Sequence, residues 1–292
     1  MKIAFIGFGE AARAFRASLA ESDPSLRFST YDILFDSEGM EGKTAETARA
    51  ASVAPQADPA DAIKGADWIV SAVTASSSLA AAEEVVDAIQ PGQTFVDINS
   101  VSPGRKQATA ALLAAKGAAY ADMAVMAPVH PRGHKTPVLL AGALAPAFIE
   151  TVDRLGFSYE IVGDEIGAAT AIKMVRSQFV KGLEAITVEA LLAASASGCL
   201  DYVMKSLSAS YPGLDLPKLA PYHFERTLKH GVRRAAEMRE SAATVRELGL
   251  HGALGEAVAD IQQMMGDLPM EDVDAEDFAG SLQRIVELRR KS

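Results

Sequence analysis

Gly7-Phe8-Gly9-Glu10-Ala11-Ala12 follows a short apolar run, Ile3–Ile6, and opens an alanine-rich stretch. In such a pattern the first glycine permits a tight turn and the second lets a phosphate approach the backbone. A small residue at the third place, here Ala12, lets helix and strand pack closely. A helix starting there points its N-terminal amides at that anion. A glycine turn that binds nothing looks the same locally, so context must decide. The motif follows the first predicted strand and opens a helix, and Asp32 ends the second predicted strand, about twenty residues on. That arrangement predicts a dinucleotide site built from Gly7, Phe8, Gly9, Glu10, Ala11, Ala12, Tyr31 and Asp32.

Asp32 also bears on which dinucleotide. A carboxylate there accepts hydrogen bonds from both ribose hydroxyls and repels a 2′-phosphate. The segment Ile33–Glu38 contains no arginine and adds two acids, and the nearest cation is Lys43. NAD is therefore expected over NADP. The plain alternative for Asp32 is a turn or cap residue.

A bound nicotinamide would supply a hydride acceptor, and alcohol oxidation then needs a group that takes the hydroxyl proton. Lys173 stands between Ile172 and Met174 in an apolar helical stretch, with Gly167-Ala168-Ala169 before it allowing close approach. It serves as a base only if burial or a nearby cation lowers its pKa from about 10.4. A lysine solvated beside an apolar stripe is the alternative. Thr170, Lys173, Ser177 and Lys181 share helical spacing and form a polar stripe, facing either a cleft or water. Further on, His230, Arg233 and Arg234 cluster. Arginines can hold a substrate carboxylate through two bonds, or simply pair with Glu237 and Glu240. His130 and His134 lack a cysteine or acidic partner nearby, and no metal site is expected.

The elements that must carry these residues fall into two groups. Apolar runs at Ile3–Ile6, Phe28–Tyr31, Trp68–Val73, Thr94–Ile98, Ala119–Val125, Val138–Ala141 and Ser158–Val162 read as strands. Helical stretches at 11–20, 60–64, 79–89, 103–116 and 145–155 separate most of them. Such alternation predicts a doubly wound α/β domain around a parallel sheet. After Gly163 the strand signal stops. A long helix over 165–197, with an apolar stripe at Ile172, Val175, Phe179, Leu183 and Ile186, begins an all-helical domain. Shorter helices are predicted at 199–208, 219–247, 250–266 and 275–290. The expected domains are thus 1–163, binding dinucleotide, and 164–292, binding substrate and a second subunit.

Composition narrows the partners. The 292 residues carry a formal net charge of −10, which argues against nucleic acid. The single cysteine, Cys199, cannot form an intrachain disulfide, and a reducing cytoplasm is the expected compartment. Charged residues interrupt every long apolar run, so neither a signal peptide nor a membrane span is expected.

Four segments together resemble the β-hydroxyacid dehydrogenases, the family of 3-hydroxyisobutyrate and 6-phosphogluconate dehydrogenases, over essentially the whole chain. They are Gly7–Ala12, Asp97-Ile-Asn-Ser-Val-Ser-Pro103, Asp122-Met-Ala-Val-Met126 and Gly167-Ala-Ala-Thr-Ala-Ile-Lys173. The resemblance implies NAD-dependent hydride transfer to or from a small hydroxyacid or related alcohol, in a homodimer. It implies that Lys173 is the acid–base group and that Asn99 and Ser100 touch cofactor or substrate. Ser71-Ala72-Val73-Thr74 would run along the ribose. Three segments depart from the family pattern. Met126-Ala127-Pro128 replaces the Ser-Gly-Gly core of the substrate loop, Arg176-Ser177 replaces two asparagines, and the segment with His230 and Arg234 lacks the expected Lys-Asp pair. Met126, Ala127, Ser177, His230 and Arg234 are accordingly the expected substrate residues of an altered pocket. Imine reduction on the same fold and a non-catalytic dinucleotide sensor are the alternative functions.

Overall fold

The computed structural model describes residues 1–290. The chain divides into two compact units, Met1–Met174 and Val175 onward. The first unit runs β1 (Lys2–Ile6), α1 (Glu10–Ser22), β2 (Arg27–Tyr31), α2 (Leu34–Glu38), α3 (Lys43–Ala50), β3 (Ala54–Pro55) and α4 (Pro59–Ile63). It continues β4 (Trp68–Ser71), α5 (Ser78–Val85), β5 (Thr94–Asp97), α6 (Pro103–Ala114), β6 (Ala119–Val125), β7 (Val138–Ala141), α7 (Pro146–Leu155) and β8 (Tyr159–Gly163). The start of α8 (Ala168–Ala196) closes it.

The strands form one sheet in the order β3-β2-β1-β4-β5-β6-β7-β8. The chain reverses strand order between β1 and β4, and such a switch point opens a crevice at the carboxyl ends of the strands. Alternation along β1 shows why both faces must be covered. Ile3 and Phe5 enter one apolar cluster with Phe15, Trp68 and Phe148. Ala4 and Ile6 enter the other, with Ile63, Phe95 and Leu113.

Two features depart from the sequence reading. The expected parallel sheet holds at every strand pair but one, where β7 pairs antiparallel with β6. Only a short 3₁₀ turn, Gly133–Lys135, lies between these strands. Without a crossover helix the chain returns directly, which fixes the antiparallel sense. The region 34–55 also carries α2, α3 and β3, too short and polar to stand out as periodic.

The second unit contains the rest of α8 with α9 (Leu200–Ser210), α10 (Leu216–Glu247), α11 (Ala253–Gly266) and α12 (Phe278–Arg289). Its core joins Leu191, Phe224, Leu228, Met265, Leu282 and Ile285. No helix among the described residues is long and apolar enough to cross a membrane. The apolar stripe of α8 does not enter this core throughout: Ile172, Val175, Phe179 and Ile186 are exposed, Phe179 to 75%.

Candidate active site

The carboxyl end of β1 carries the glycine turn. Gly7 has φ +84, and a Cβ there would lie 2.6 Å from the Ala72 carbonyl oxygen and 2.9 Å from Val73 Cγ1. A side chain at this position is excluded twice, by conformation and by space. Nothing lies within 4 Å of the point a Gly9 Cβ would occupy, so the backbone is open to a ligand there. Gly9 caps α1 without a side chain, and the first-turn amides at Glu10–Ala12 have no partner within their own helix. Phe8 and Ala12 are buried beneath them, and Ala11 is half-buried. These residues fit a pyrophosphate, the anion of a dinucleotide.

Asp32 closes the turn from the next strand. Its Oδ2 accepts from the Phe8 amide at 2.7 Å, and its Oδ1 accepts from the Leu34 amide at 3.0 Å. The carboxylate is thus held by two backbone donors on either side and retains lone pairs for a ribose. It acts as a turn residue as well. Tyr31 is buried, and its hydroxyl donates to Asp36 Oδ2 at 2.9 Å. Burial, with Asp36 second, holds that phenol above its usual range. Glu84 also titrates above the ordinary glutamate range, through burial and then Asp36. Asp32, Asp36 and Glu84 give this side of the turn a negative field.

Asn99 joins the ends of β4 and β5. Its side-chain carbonyl accepts from the Val73 amide at 2.8 Å, and its amide donates to Ser71 Oγ at 2.8 Å. The side chain is only 3% exposed, so it braces the strand ends. Ala72, Val73 and Thr74 follow directly, with Thr74 Oγ1 near the Ser76 and Ser77 hydroxyls. Ser100, half-buried, meets Lys173: Lys173 Nζ donates to Ser100 Oγ at 2.6 Å. Residues 73 apart in sequence therefore share one point at the carboxyl end of the sheet.

The start of α8 is tied down around this pair. The Gly167 and Thr170 amides donate to Asp122 Oδ2 at 3.2 and 3.1 Å, so a strand carboxylate caps the helix. Thr170 Oγ1 donates to the Val101 carbonyl at 2.7 Å. Ala169 packs with Ala124 and Ala141, and Met126 borders that cluster. Met126 is half-buried while Ala127 is exposed. Below the pair, buried Tyr120 donates to Asp97 Oδ2 at 2.7 Å. Burial first, then the Asp97 charge, raises this phenol well above its usual range, and it stays a donor.

The expected polar stripe of α8 is neither a solvated face nor a uniform row. Thr170 is fully buried, and Lys181 in the second unit pairs with Glu237 at 2.6 Å. Burial lowers the Lys181 pKa, with Glu237 opposing. Ser177, also in that unit, is half-buried. Arg234 is buried and bonded to Glu184, which also accepts from Gln262. Its guanidinium is thus engaged by a carboxylate of the chain itself. His230 is half-buried on α10, and Arg233 pairs with Glu237 at 2.7 Å. His134 lies wholly buried, its ring between Ser18 Oγ and the Leu155 carbonyl, where it ties α1 to the end of α7. Burial lowers its pKa, so the ring is neutral.

A family model described as NADP oxidoreductase, coenzyme F420-dependent, matches residues 2–100. A domain of unknown function (DUF1932) matches residues 194–265. A conserved hypothetical protein from Sinorhizobium meliloti 1021 is 33% identical over 98% of this chain and 96% of its own, with a TM-score of 0.75. The conserved protein MTH1747, whose structure shows similarity with 3-hydroxyacid dehydrogenases, is 25% identical over 100% and 99%, at a TM-score of 0.65. The 3-hydroxyisobutyrate dehydrogenase of Mycobacterium tuberculosis shares the fold at 17% identity, covering 97% and 99%, with a TM-score of 0.71. The chain belongs to one family with the Sinorhizobium meliloti protein, and its fold is that of the 3-hydroxyisobutyrate dehydrogenases.

Proposed function

We propose that this protein is an NAD-dependent oxidoreductase that transfers hydride between nicotinamide and a small hydroxyacid or related alcohol. The observation that carries the reading is the 2.6 Å contact between Lys173 Nζ and Ser100 Oγ at the carboxyl end of the sheet. The cofactor supplies the hydride chemistry. Lys173 takes the hydroxyl proton during oxidation and returns it during reduction, while Ser100 orients the amine and the reacting oxygen. Asn99 keeps the loop that carries Ser100 at a fixed height above the sheet. An imine reduction is the second reading. It is favoured by Met126-Ala127-Pro128, which offers no glycine-rich backbone to a substrate carboxylate, and imine reductases share the fold.

NAD is the proposed dinucleotide because Asp32 is fixed by two amides and cannot swing aside for a 2′-phosphate. The subunit is proposed to pair with a second copy through α8, whose exposed Ile172, Val175, Phe179 and Ile186 form an apolar strip.

Three outcomes are expected. NADH binds at least severalfold more tightly than NADPH, and Asp32→Ala narrows the gap mainly by admitting NADPH; fluorescence titration that finds equal affinities in the unaltered protein removes Asp32 as the selector. Light scattering at micromolar concentration gives a dimer mass, and Phe179→Glu shifts it toward the monomer; a monomer throughout refutes the pairing. A panel of hydroxyacids, alcohols and imines, followed by absorbance of the reduced cofactor, identifies a substrate. With it, Lys173→Met lowers turnover by about 10²–10⁴ and leaves NADH affinity nearly unchanged. Undiminished turnover takes Lys173 out of the mechanism, and tight NADH binding with no turnover on any compound favours a sensor.

A further inference from the structure

Asp97 on β5 and Asp122 on β6 are register partners on adjacent strands, and both are buried. Like charges directly opposite one another in a sheet destabilise it, and burial strengthens the repulsion. Lys106 of α6 resolves this. Its side chain has no exposure to solvent, and its ammonium lies 2.9 Å from Asp97 Oδ1 and 3.4 Å from Asp122 Oδ1. It also donates to the Asp97 carbonyl oxygen at 2.7 Å.

Each aspartate holds one half of the contact between Ser100 and Lys173. Asp97 Oδ1 accepts from the Asn99 amide at 2.9 Å, which fixes the turn leading to Ser100. Asp122 Oδ2 accepts the Gly167 and Thr170 amides, which fixes the turn of α8 that precedes Lys173. An apolar side chain would fill the place of Lys106 without the cost of desolvating a cation, and buried ion pairs are weak sources of stability. What an apolar residue cannot do is hold two carboxylates at one distance from each other.

We propose that Lys106 is a positioning residue that sets the register between Ser100 and Lys173 by clamping Asp97 and Asp122. The role rests on the reading of Ser100 and Lys173 as the reacting centre. Lys106 touches neither substrate nor cofactor in this account; it acts through the two carboxylates. Loss of the clamp frees the 98–101 turn and the first turn of α8 together, although they are far apart in sequence. The glycine turn at Gly7–Ala12 hangs on β1 and Asp32, and it stays as it is.

Hydrogen exchange followed by mass spectrometry on the full-length protein tests this without a substrate. Two variants are used: Lys106→Met, and Lys106→Met/Asp122→Asn, which restores the net charge of the cluster. In both, exchange in peptides covering 98–103 and 166–174 rises about tenfold or more, corresponding to roughly 1.4 kcal/mol of lost protection. Peptides covering 2–15 keep their rates, and NADH affinity stays within about twofold. With a working substrate, kcat falls while the KM for NADH holds. Even acceleration across the whole first unit makes Lys106 a structural residue only, and unchanged exchange at either segment breaks the coupling; each overturns the proposal. If Lys106→Met does not fold, the double variant carries the measurement, and failure of both to fold also overturns it. Intact turnover in Lys173→Met, with joint loosening in Lys106→Met, removes the reading of the centre and keeps the clamp.

Discussion

Asp97 and Asp122 face each other across neighbouring strands in a space sealed from water, and neither can be solvated there. Lys106 supplies the one charge that lets both remain. The consequence reaches well past electrostatics. Tyr120 donates to Asp97, the Asn99 amide donates to Asp97, and the amides at the start of α8 donate to Asp122. Three elements thus bond to the same pair of carboxylates, and networks of this kind hold their members in one geometry. The ends of β5, β6 and α8 thereby become one rigid assembly, and the contact between Ser100 and Lys173 is its upper edge.

The other half of the site follows from a different constraint, the room a phosphate needs. Gly7 cannot carry a side chain because Ala72 and Val73 press against it, whereas Gly9 faces open space. Asp32 then binds the Phe8 amide and gives the turn its fixed acidic wall. Asn99 braces the ends of β4 and β5, since its side-chain amide bridges Ser71 and the Val73 backbone. The second unit builds buried charge pairs of its own, Arg234 and Gln262 on Glu184 and Lys181 on Glu237.

The strands and the glycine turn were legible because their signals are local. Apolar alternation over a few residues, or a glycine at a fixed spacing, does not need the rest of the chain. The direction of β7 was not local, because it depends on what the 126–137 connection fails to contain. Lys106 was less legible still. Within α6 it looks like any helix lysine, and its partners lie nine residues before it and sixteen after it, on two strands. Arg234 shows the same difficulty in reverse: beside Arg233 it reads as part of an anion-binding patch, but Glu184, fifty residues earlier, engages it. The pair of Ser100 and Lys173 became legible only through resemblance, since neither residue type marks itself as reactive. The expectation that Met126, Ala127, Ser177 and His230 meet a substrate rests on departures from a family pattern, because none of these residue types marks itself as a substrate contact in the sequence.

A crystal structure of the protein with bound NADH would show whether the glycine turn and the Ser100–Lys173 contact serve a single bound cofactor. Pyrophosphate is expected on the amides of Gly9–Ala12, the adenosine ribose on Asp32, and the nicotinamide ring beside Ser100. Its C4 should lie where a substrate carbon held at about 3–3.5 Å could also be reached by Lys173. A nicotinamide directed away from Ser100 and Lys173, or a dinucleotide bound elsewhere than Gly7–Ala12, would contradict it.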